Sequence, residues 1–365
     1  MDIGIVHPEL IYPRGAEKQV CKLSYYLSKM GHDVTIYTFE KEKKYAFDPL
    51  LENVDIISLN KKWSINLLFG ANYLRWNNLI KKISTKIKNH DVINAHNHPA
   101  QWISKYTDIP TVWMCNEPYY KNVQGIYSFY NYIDQRLSSN LRLTLPISHE
   151  IEKIVKNRYP QLEVETVGSG ADIERNINHV ENDHFDSIFV GPLHPQKRQL
   201  DIIKSFSLIK NEIPNSRLHF VGSSVGILSN RLKNSMIELA KKSELEIFFY
   251  DSISNEELYN LYDIADISVF VPKAEPWGIF PLETILGEIP TIISDQCGVK
   301  DILPSDYPVV ETENINQLSR KILEIKDNYS KYKHKTAKIS KMVSQKYSWK
   351  AYSERMENIF QRCIP

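Results

Sequence analysis

The chain has no uninterrupted apolar run of the roughly 20 residues needed to cross a bilayer, so no membrane-spanning helix is expected. Cysteine is scarce: Cys21, Cys115, Cys297 and Cys363 are too scattered for a zinc site or a disulfide framework, which fits a reducing compartment. The glycine fingerprint of dinucleotide enzymes is absent, because Gly15 stands alone in the first loop; this argues against a nicotinamide enzyme. There is no Asp-x-Asp metal motif, no internal repeat and no low-complexity tract. Charge of one sign is missing too: 45 Lys and Arg face 44 Asp and Glu, and a net charge of +1 gives no field that would favour nucleic acid. Ile3-Gly4-Ile5-Val6 reads as a first strand rather than a signal peptide, so the expectation is a cytoplasmic protein, at most peripheral to a membrane.

What is present is an ordinary globular composition, with 42% hydrophobic and 24% charged residues over 365 positions, a length that suits about two domains. Ile3 to Val6 is a buried strand, Gly15 opens a helical pattern with Val20, Leu23, Leu27 and Met30 on one face, and Val34 to Thr38 is the next strand. This β-loop-α-β opening is a Rossmann-like half, and the pattern restarts at Ser187-Ile188-Phe189-Val190-Gly191. The fold class is therefore α/β, two Rossmann-like domains with parallel sheets.

The densest chemistry lies between Ile267 and Pro290. Ile267 to Val271 is a short apolar, β-branched run closed by Pro272, as in a buried parallel strand. Lys273 to Phe280 is read as a loop, with Pro281 and Glu283 in the first turn of a helix. Gly278 permits backbone conformations closed to other residues, and the amides of Ile279 and Phe280 lie where a helix N-terminus can hold an anion. Two carboxylates, Glu275 and Glu283, flank those amides. Singly, Glu275 reads as well as a solvated loop acid and Glu283 as a dipole-favoured one.

The string Glu275-Pro276-Trp277-Gly278-Ile279-Phe280-Pro281-Leu282-Glu283 resembles the Glu-x7-Glu signature of retaining GT-B glycosyltransferases, specifically glycosyltransferase family 4 (glycosyl transferases group 1). Other segments are similar to the family's as well. Arg14-Gly15-Ala16-Glu17 matches its Gly-Gly-x-Glu loop with Arg14 for the first Gly. Gly168-Ser169-Gly170-Ala171-Asp172 resembles its Asn-Gly-Val-Asp junction with Ser169 for the Asn and Ala171 for the Val, and Val221-Gly222-Ser223-Ser224 resembles its base-binding edge. Gly191-Pro192-Leu193 with Lys197-Arg198 resembles the family's Gly-Arg-Leu…Lys segment, in which an Arg and a Lys clamp the nucleotide diphosphate; here Pro192 stands at the Arg position.

By that resemblance the fold is GT-B, two facing Rossmann-like domains with a cleft between them. Residues 1–172 would bind the acceptor, 173–345 the nucleotide sugar, and a last helix in 346–365 would pack back on the first domain. The activity implied is retaining transfer of a hexose, of mannose or glucose type, from a nucleoside-diphosphate sugar to an acceptor hydroxyl in cell-surface or lipid-linked glycan synthesis. The resemblance assigns catalytic roles to Glu275, His96 and Lys197, and donor binding to Gly15, Gly191, Lys197, Arg198, Gly222, Gly278, Ile279, Phe280 and Glu283. No cofactor or metal is implied, the nucleotide sugar being a substrate. The alternative is a non-catalytic nucleotide-sugar-binding or membrane-surface scaffold, for which Pro192 is the support.

Lys61 to Lys88 lacks acidic residues and interleaves Lys61, Lys62, Arg75, Lys81, Lys82, Lys86 and Lys88 with Trp63, Phe69, Tyr73 and Trp76. A basic, aromatic amphipathic helix suits an anionic membrane surface. A domain helix with its stripe on the sheet and its lysines in water satisfies the pattern equally. Tyr119, Tyr120, Tyr127, Tyr130 and Tyr132 follow, a tyrosine-rich stretch able to stack on sugars or simply to pack.

Overall fold

The computed structural model describes residues 1–62, 71–118, 127–224 and 226–365. Its strands are β1 (Asp2–Leu10), β2 (Asp33–Lys41), β3 (Asp55–Ser58), β4 (Val92–His96), β5 (Thr111–Cys115), β6 (Leu143–Pro146), β7 (Phe185–Val190), β8 (Ser216–Val221), β9 (Glu246–Tyr250), β10 (Ile267–Phe270), β11 (Thr291–Ser294) and β12 (Val309–Val310). The helices are α1 (Gly15–Lys29), α2 (Ala71–Ser84), α3 (Tyr127–Leu137), α4 (His149–Arg158), α5 (Gln199–Leu208), α6 (Ile227–Lys242), α7 (Asn255–Ile264), α8 (Ile279–Leu286), α9 (Ile315–Asp327), α10 (Tyr329–Tyr347) and α11 (Trp349–Cys363). The strands form two six-stranded parallel sheets, ordered β3-β2-β1-β4-β5-β6 and β12-β11-β10-β7-β8-β9. The near-continuous apolar strands β4, β5, β10 and β11 are buried throughout, as parallel strands between two helical layers must be.

The chain divides into one unit of Met1–Gly170 with Trp349–Pro365 and a second of Ala171–Ser348. Helix α11 belongs to the first because Trp349, Tyr352, Met356, Ile359, Phe360 and Cys363 recur at helical spacing and are buried. Glu357 on its flank meets His32 Nε2 at 2.8 Å. In the second unit, residues 171–184 hold neither helix nor strand and are tied to α7 by Asp263. The Asp263 carboxylate takes Arg175 at 2.6 Å and the Asn178 amide at 2.8 Å.

Each sheet reverses its winding once, between β1 and β4 in the first unit and between β7 and β10 in the second. Ligands of open parallel sheets bind beyond the carboxyl ends of the strands at such a reversal. One reading of the sequence changes here, and one that was open is resolved. Helix α8 starts at Ile279, two residues before Pro281, so Glu283 sits in its second turn and no acid occupies the first. The apolar stripe of α2 is turned inward, with Tyr73, Trp76, Leu79, Ile80 and Ile83 buried, while Lys81, Lys82 and Lys86 are exposed. Trp63, Phe69, Tyr119 and Tyr120 lie outside the described residues.

Candidate active site

In the second unit, the loops that leave β7 and β10 meet at the sheet's reversal. The loop after β7 runs through Gly191 and Pro192 to a short turn, Pro195–Lys197, and then into α5. Arg198 takes a left-handed conformation (φ 60°, ψ 31°), which sends its side chain away from that of its neighbour. Lys197 Nζ donates to Glu275 Oε2, and the Lys273 amide donates to the Gln196 carbonyl at 2.8 Å, so side chain and backbone both bridge the two loops. Arg198 instead turns its guanidinium to Asp201 at 2.6 Å and Glu313 at 2.9 Å. The Lys197–Glu275 pair is partly open to solvent, and the ammonium stands 5.5 Å from the centroid of the Phe270 ring.

The backbone of Glu275 is fixed. Its amide donates to the Gln296 carbonyl at 3.0 Å and its carbonyl accepts from the Gly298 amide at 2.9 Å. Trp277 O accepts from the Val299 amide at 2.9 Å, so residues 275–277 extend the parallel pairing of β10 and β11 beyond the strands. Gly278 caps α8 at φ 113°, where a side chain is strained, and a Cβ there would lie 2.8 Å from Cys297 Sγ. The residue must be glycine on both counts. The amides of Ile279 and Phe280 that follow have no partner inside the helix and carry its positive end. Burial pushes the Cys297 thiol well up, and the charge of Glu275 adds to this, so the sulfur is an inert spacer under the loop.

Glu283 lies one turn further along α8, where its charge adds to burial in raising the Tyr262 hydroxyl well above the usual tyrosine range. Gly191 and Gly222 close the strand ends beside this loop. A Cβ on Gly222 would lie 2.1 Å from the Gly191 carbonyl oxygen, so the β7 and β8 exits pass each other at backbone contact. Glu275, Lys197, Gly278, Ile279 and Phe280 are thus gathered at one reversal, with Gly191 leading into the Lys197 loop. Gly15 and His96 lie in the first unit, where Gly15 is the exposed first residue of α1. No group of three or more His, Cys, Asp or Glu suited to a metal ion occurs among the described residues.

Residues 13–175 match the family model Glycosyltransferase Family 4, and residues 171–342 match Glycosyl transferases group 1. Between them the two cover nearly the whole chain, each on one of its units. The chain is a glycosyltransferase of family 4, group 1, with the GT-B fold. An uncharacterized glycosyltransferase of Methanocaldococcus jannaschii is 24% identical over 302 residues, 72% of this chain and 71% of its own length. A GDP-mannose-dependent mannosyltransferase of Corynebacterium glutamicum, acting on a monoacylated phosphatidylinositol monomannoside, is 25% identical over 46% of this chain and 45% of its own. HepE of Anabaena, solved in complex with UDP and glucose, superposes with a TM-score of 0.78 at 14% identity, over 99% of this chain and all of that one.

The glycosyltransferase holds a second cluster, at the reversal of its first sheet, that the sequence reading only half found. Val6 pairs with Ala95, so the next residues, His7 and His96, come together with ring centroids 6.2 Å apart and an interplanar angle of 78°. Glu17 on α1 brings a carboxylate oxygen to 3.6 Å from His7 Nε2. His7 is 2% exposed and His96 fully buried, and neither ring has a hydrogen-bond partner among the described residues. Burial, then the charge of His7, lowers the His96 imidazole well below the usual histidine range, so it is neutral at pH 7. His7 carried a signal that went unused: a histidine at the carboxyl end of a first parallel strand, one residue before Pro8.

Proposed function

We propose that this glycosyltransferase moves a hexose from a nucleoside-diphosphate sugar to an acceptor hydroxyl with retention of anomeric configuration. The bond from the anomeric carbon to the diphosphate breaks with its electron pair staying on the phosphate. The acceptor oxygen supplies the pair for the new bond, and its proton leaves with the diphosphate or to solvent. Negative charge grows on the departing diphosphate, so the site must answer it. In this reading Lys197 and the amides of Gly278, Ile279 and Phe280 hold the diphosphate and sugar oxygens. Glu275 takes the sugar hydroxyls beside the reacting carbon, Glu283 the ribose hydroxyls, and His96 a hydroxyl of the transferred sugar.

The observation that carries the reading is the meeting of Lys197 and Glu275 at the sheet reversal, beside a glycine-capped helix start. Pro192 cannot donate a hydrogen bond and Arg198 is turned to Asp201 and Glu313, so the helix amides carry more of the leaving-group charge. Incubation with UDP- and GDP-linked glucose and mannose, assayed by nucleotide release, tests this. Glu275→Ala is expected to lower turnover by about 100- to 1000-fold; turnover unaffected by it sinks the assignment. The missing Arg favours a second reading, a nucleotide-sugar-binding scaffold, and binding without turnover for every donor selects it.

For the acceptor we infer a lipid-linked or membrane-proximal glycan, met at the cytoplasmic face. Tyr73 of α2 and Tyr130 of α3 lie 4.7 Å apart, which sets the two helices side by side. Their outer faces carry Leu74, Phe129 and Tyr132 at 77%, 63% and 53% exposure, with Lys81 and Lys82 along α2 and Lys86 just past its end. Apolar groups rimmed by lysine suit an anionic surface. Sedimentation with vesicles with and without phosphatidylserine checks it: salt-sensitive binding supports the inference, and none removes it.

A further inference from the structure

We propose that Glu275 has a second role, as a latch that competes with the nucleotide for Lys197 and expels the spent nucleoside diphosphate. The inference rests on the donor-site reading above. It starts from a conflict inside the site: the cation assigned to the diphosphate is already paired with the carboxylate assigned to the sugar.

The two partners differ in freedom. Glu275 is pinned on both sides of its backbone by Gln296 and Gly298, which holds the base of its side chain at the reversal. Lys197 sits at the end of a three-residue turn and carries its ammonium on a flexible four-carbon stem over the Phe270 ring. The lysine is the moving part. Arg198, the neighbouring cation, is held by Asp201 and Glu313 and does not take its place beside Glu275.

A complete donor resolves the conflict, because its diphosphate takes Lys197 while its hydroxyls donate to the freed carboxylate. Once the sugar has left with the acceptor, the hydroxyls are gone. Glu275 then faces a bound diphosphate of its own sign, with Lys197 within reach of both. Re-forming the ion pair removes the nucleotide's cation and leaves the carboxylate partnered. The latch thus favours intact donor over product without a separate discriminating contact, and it makes and breaks no covalent bond.

Calorimetric titration of UDP and GDP tests it on the full chain, in wild type, Glu275→Gln, Lys197→Met and the double variant. The amide keeps the shape of the carboxylate but carries no charge, so it neither repels phosphate nor forms an ion pair with lysine. Glu275→Gln is expected to bind one of the diphosphates at least tenfold more tightly than wild type, about 1.4 kcal/mol, and to be correspondingly more sensitive to product inhibition. With Lys197→Met in place, the gain from Glu275→Gln should shrink to threefold or less, because the competed cation is gone. Equal or weaker binding by a folded Glu275→Gln overturns the latch, as does an undiminished gain in the double variant, which would mean plain repulsion. If wild type turns over a donor and Glu275→Gln shows no gain over it, the latch alone fails. Wild type that binds neither diphosphate nor any nucleotide sugar fails the donor-site reading beneath it.

Discussion

The two sheets share one strand order, since the second repeats β3-β2-β1-β4-β5-β6 as β9-β8-β7-β10-β11-β12. At the same topological place they hold opposite kinds of chemistry. The reversal of the second sheet carries a partly solvated ion pair on loops, Lys197 with Glu275, each charge neutralised by the other. The reversal of the first carries two buried imidazoles on strands, with a buried carboxylate beside them and ring nitrogens without a hydrogen-bond partner among the described residues. Buried polar groups without partners cost about 1–3 kcal/mol each and are kept chiefly where function uses them. The scaffold fixes where a site lies and leaves its charge economy to a few loop and strand-end residues.

The largest expected effects break the Lys197–Glu275 site of the second sheet. Glu275→Gln should lower turnover by about 100- to 1000-fold, whereas His96→Ala in the first unit, which removes a neutral group, should cost nearer 10- to 100-fold. A larger loss at His96, measured by nucleotide release, would reverse the ranking of the two sites. Next comes Gly278→Ala. The added methyl meets Cys297 Sγ and imposes φ 113° on an L-residue, so a loss of about 1–3 kcal/mol is expected together with misplaced amides. Adding Cys297→Ala should recover part of the stability, through relief of the clash, but little of the activity. Full recovery of both would show that the backbone angle does not matter.

These positions were unequally legible in the sequence. The strands announced themselves as short β-branched runs, and Glu275, Gly278 and Glu283 stood at a readable spacing because one loop carries them all. The start of α8 did not. Proline is tolerated at any of the first helical positions, since the amide it lacks has no partner there, so Pro281 marked the first turn without fixing its first residue. Arg198 looked equivalent to Lys197 until its left-handed backbone turned the two side chains apart. The His7–Glu17–His96 cluster spans β1, α1 and β4, and only the pairing of β1 with β4 assembles it; local pattern contains no trace of that register.

A smaller effect sharpens the comparison from the first unit. His7 is one of the two causes that hold the His96 imidazole down, burial being the larger. His7→Phe should therefore raise the His96 value while leaving it below the usual histidine range, with turnover reduced no more than about tenfold. The ring-proton shifts of His96, followed by NMR against pH, read this directly. No movement would uncouple the two histidines and leave His96 to act alone.

The smallest effect concerns the amino end of the second sheet, where carboxylates serve structure rather than the reversal. Asp186, buried and bonded to His219 and Arg217, titrates near 2, so the stability it lends is present above the ordinary carboxylate range and lost as pH falls through about 2. Asp266 behaves oppositely. Burial, with the charge of Asp186 adding, raises it to about 6, although it accepts the Asp186 amide at 2.8 Å and lies 3.6 Å from His179. The folded state holds that proton more tightly than the unfolded one, so stability is lost as pH rises from about 4 to about 6. Asp266→Asn keeps an acceptor for the amide and drops the buried charge. It should stabilise the second unit at pH 7 by about 1–2 kcal/mol, a rise in Tm of roughly 2–8 °C, and the gain should largely vanish at pH 4. Melting curves at the two pH values decide it. A variant less stable at pH 7 would mean that the Asp266 charge is needed by Arg217 and Lys333, whose fields oppose its burial, and that this end of the sheet, too, runs on charge.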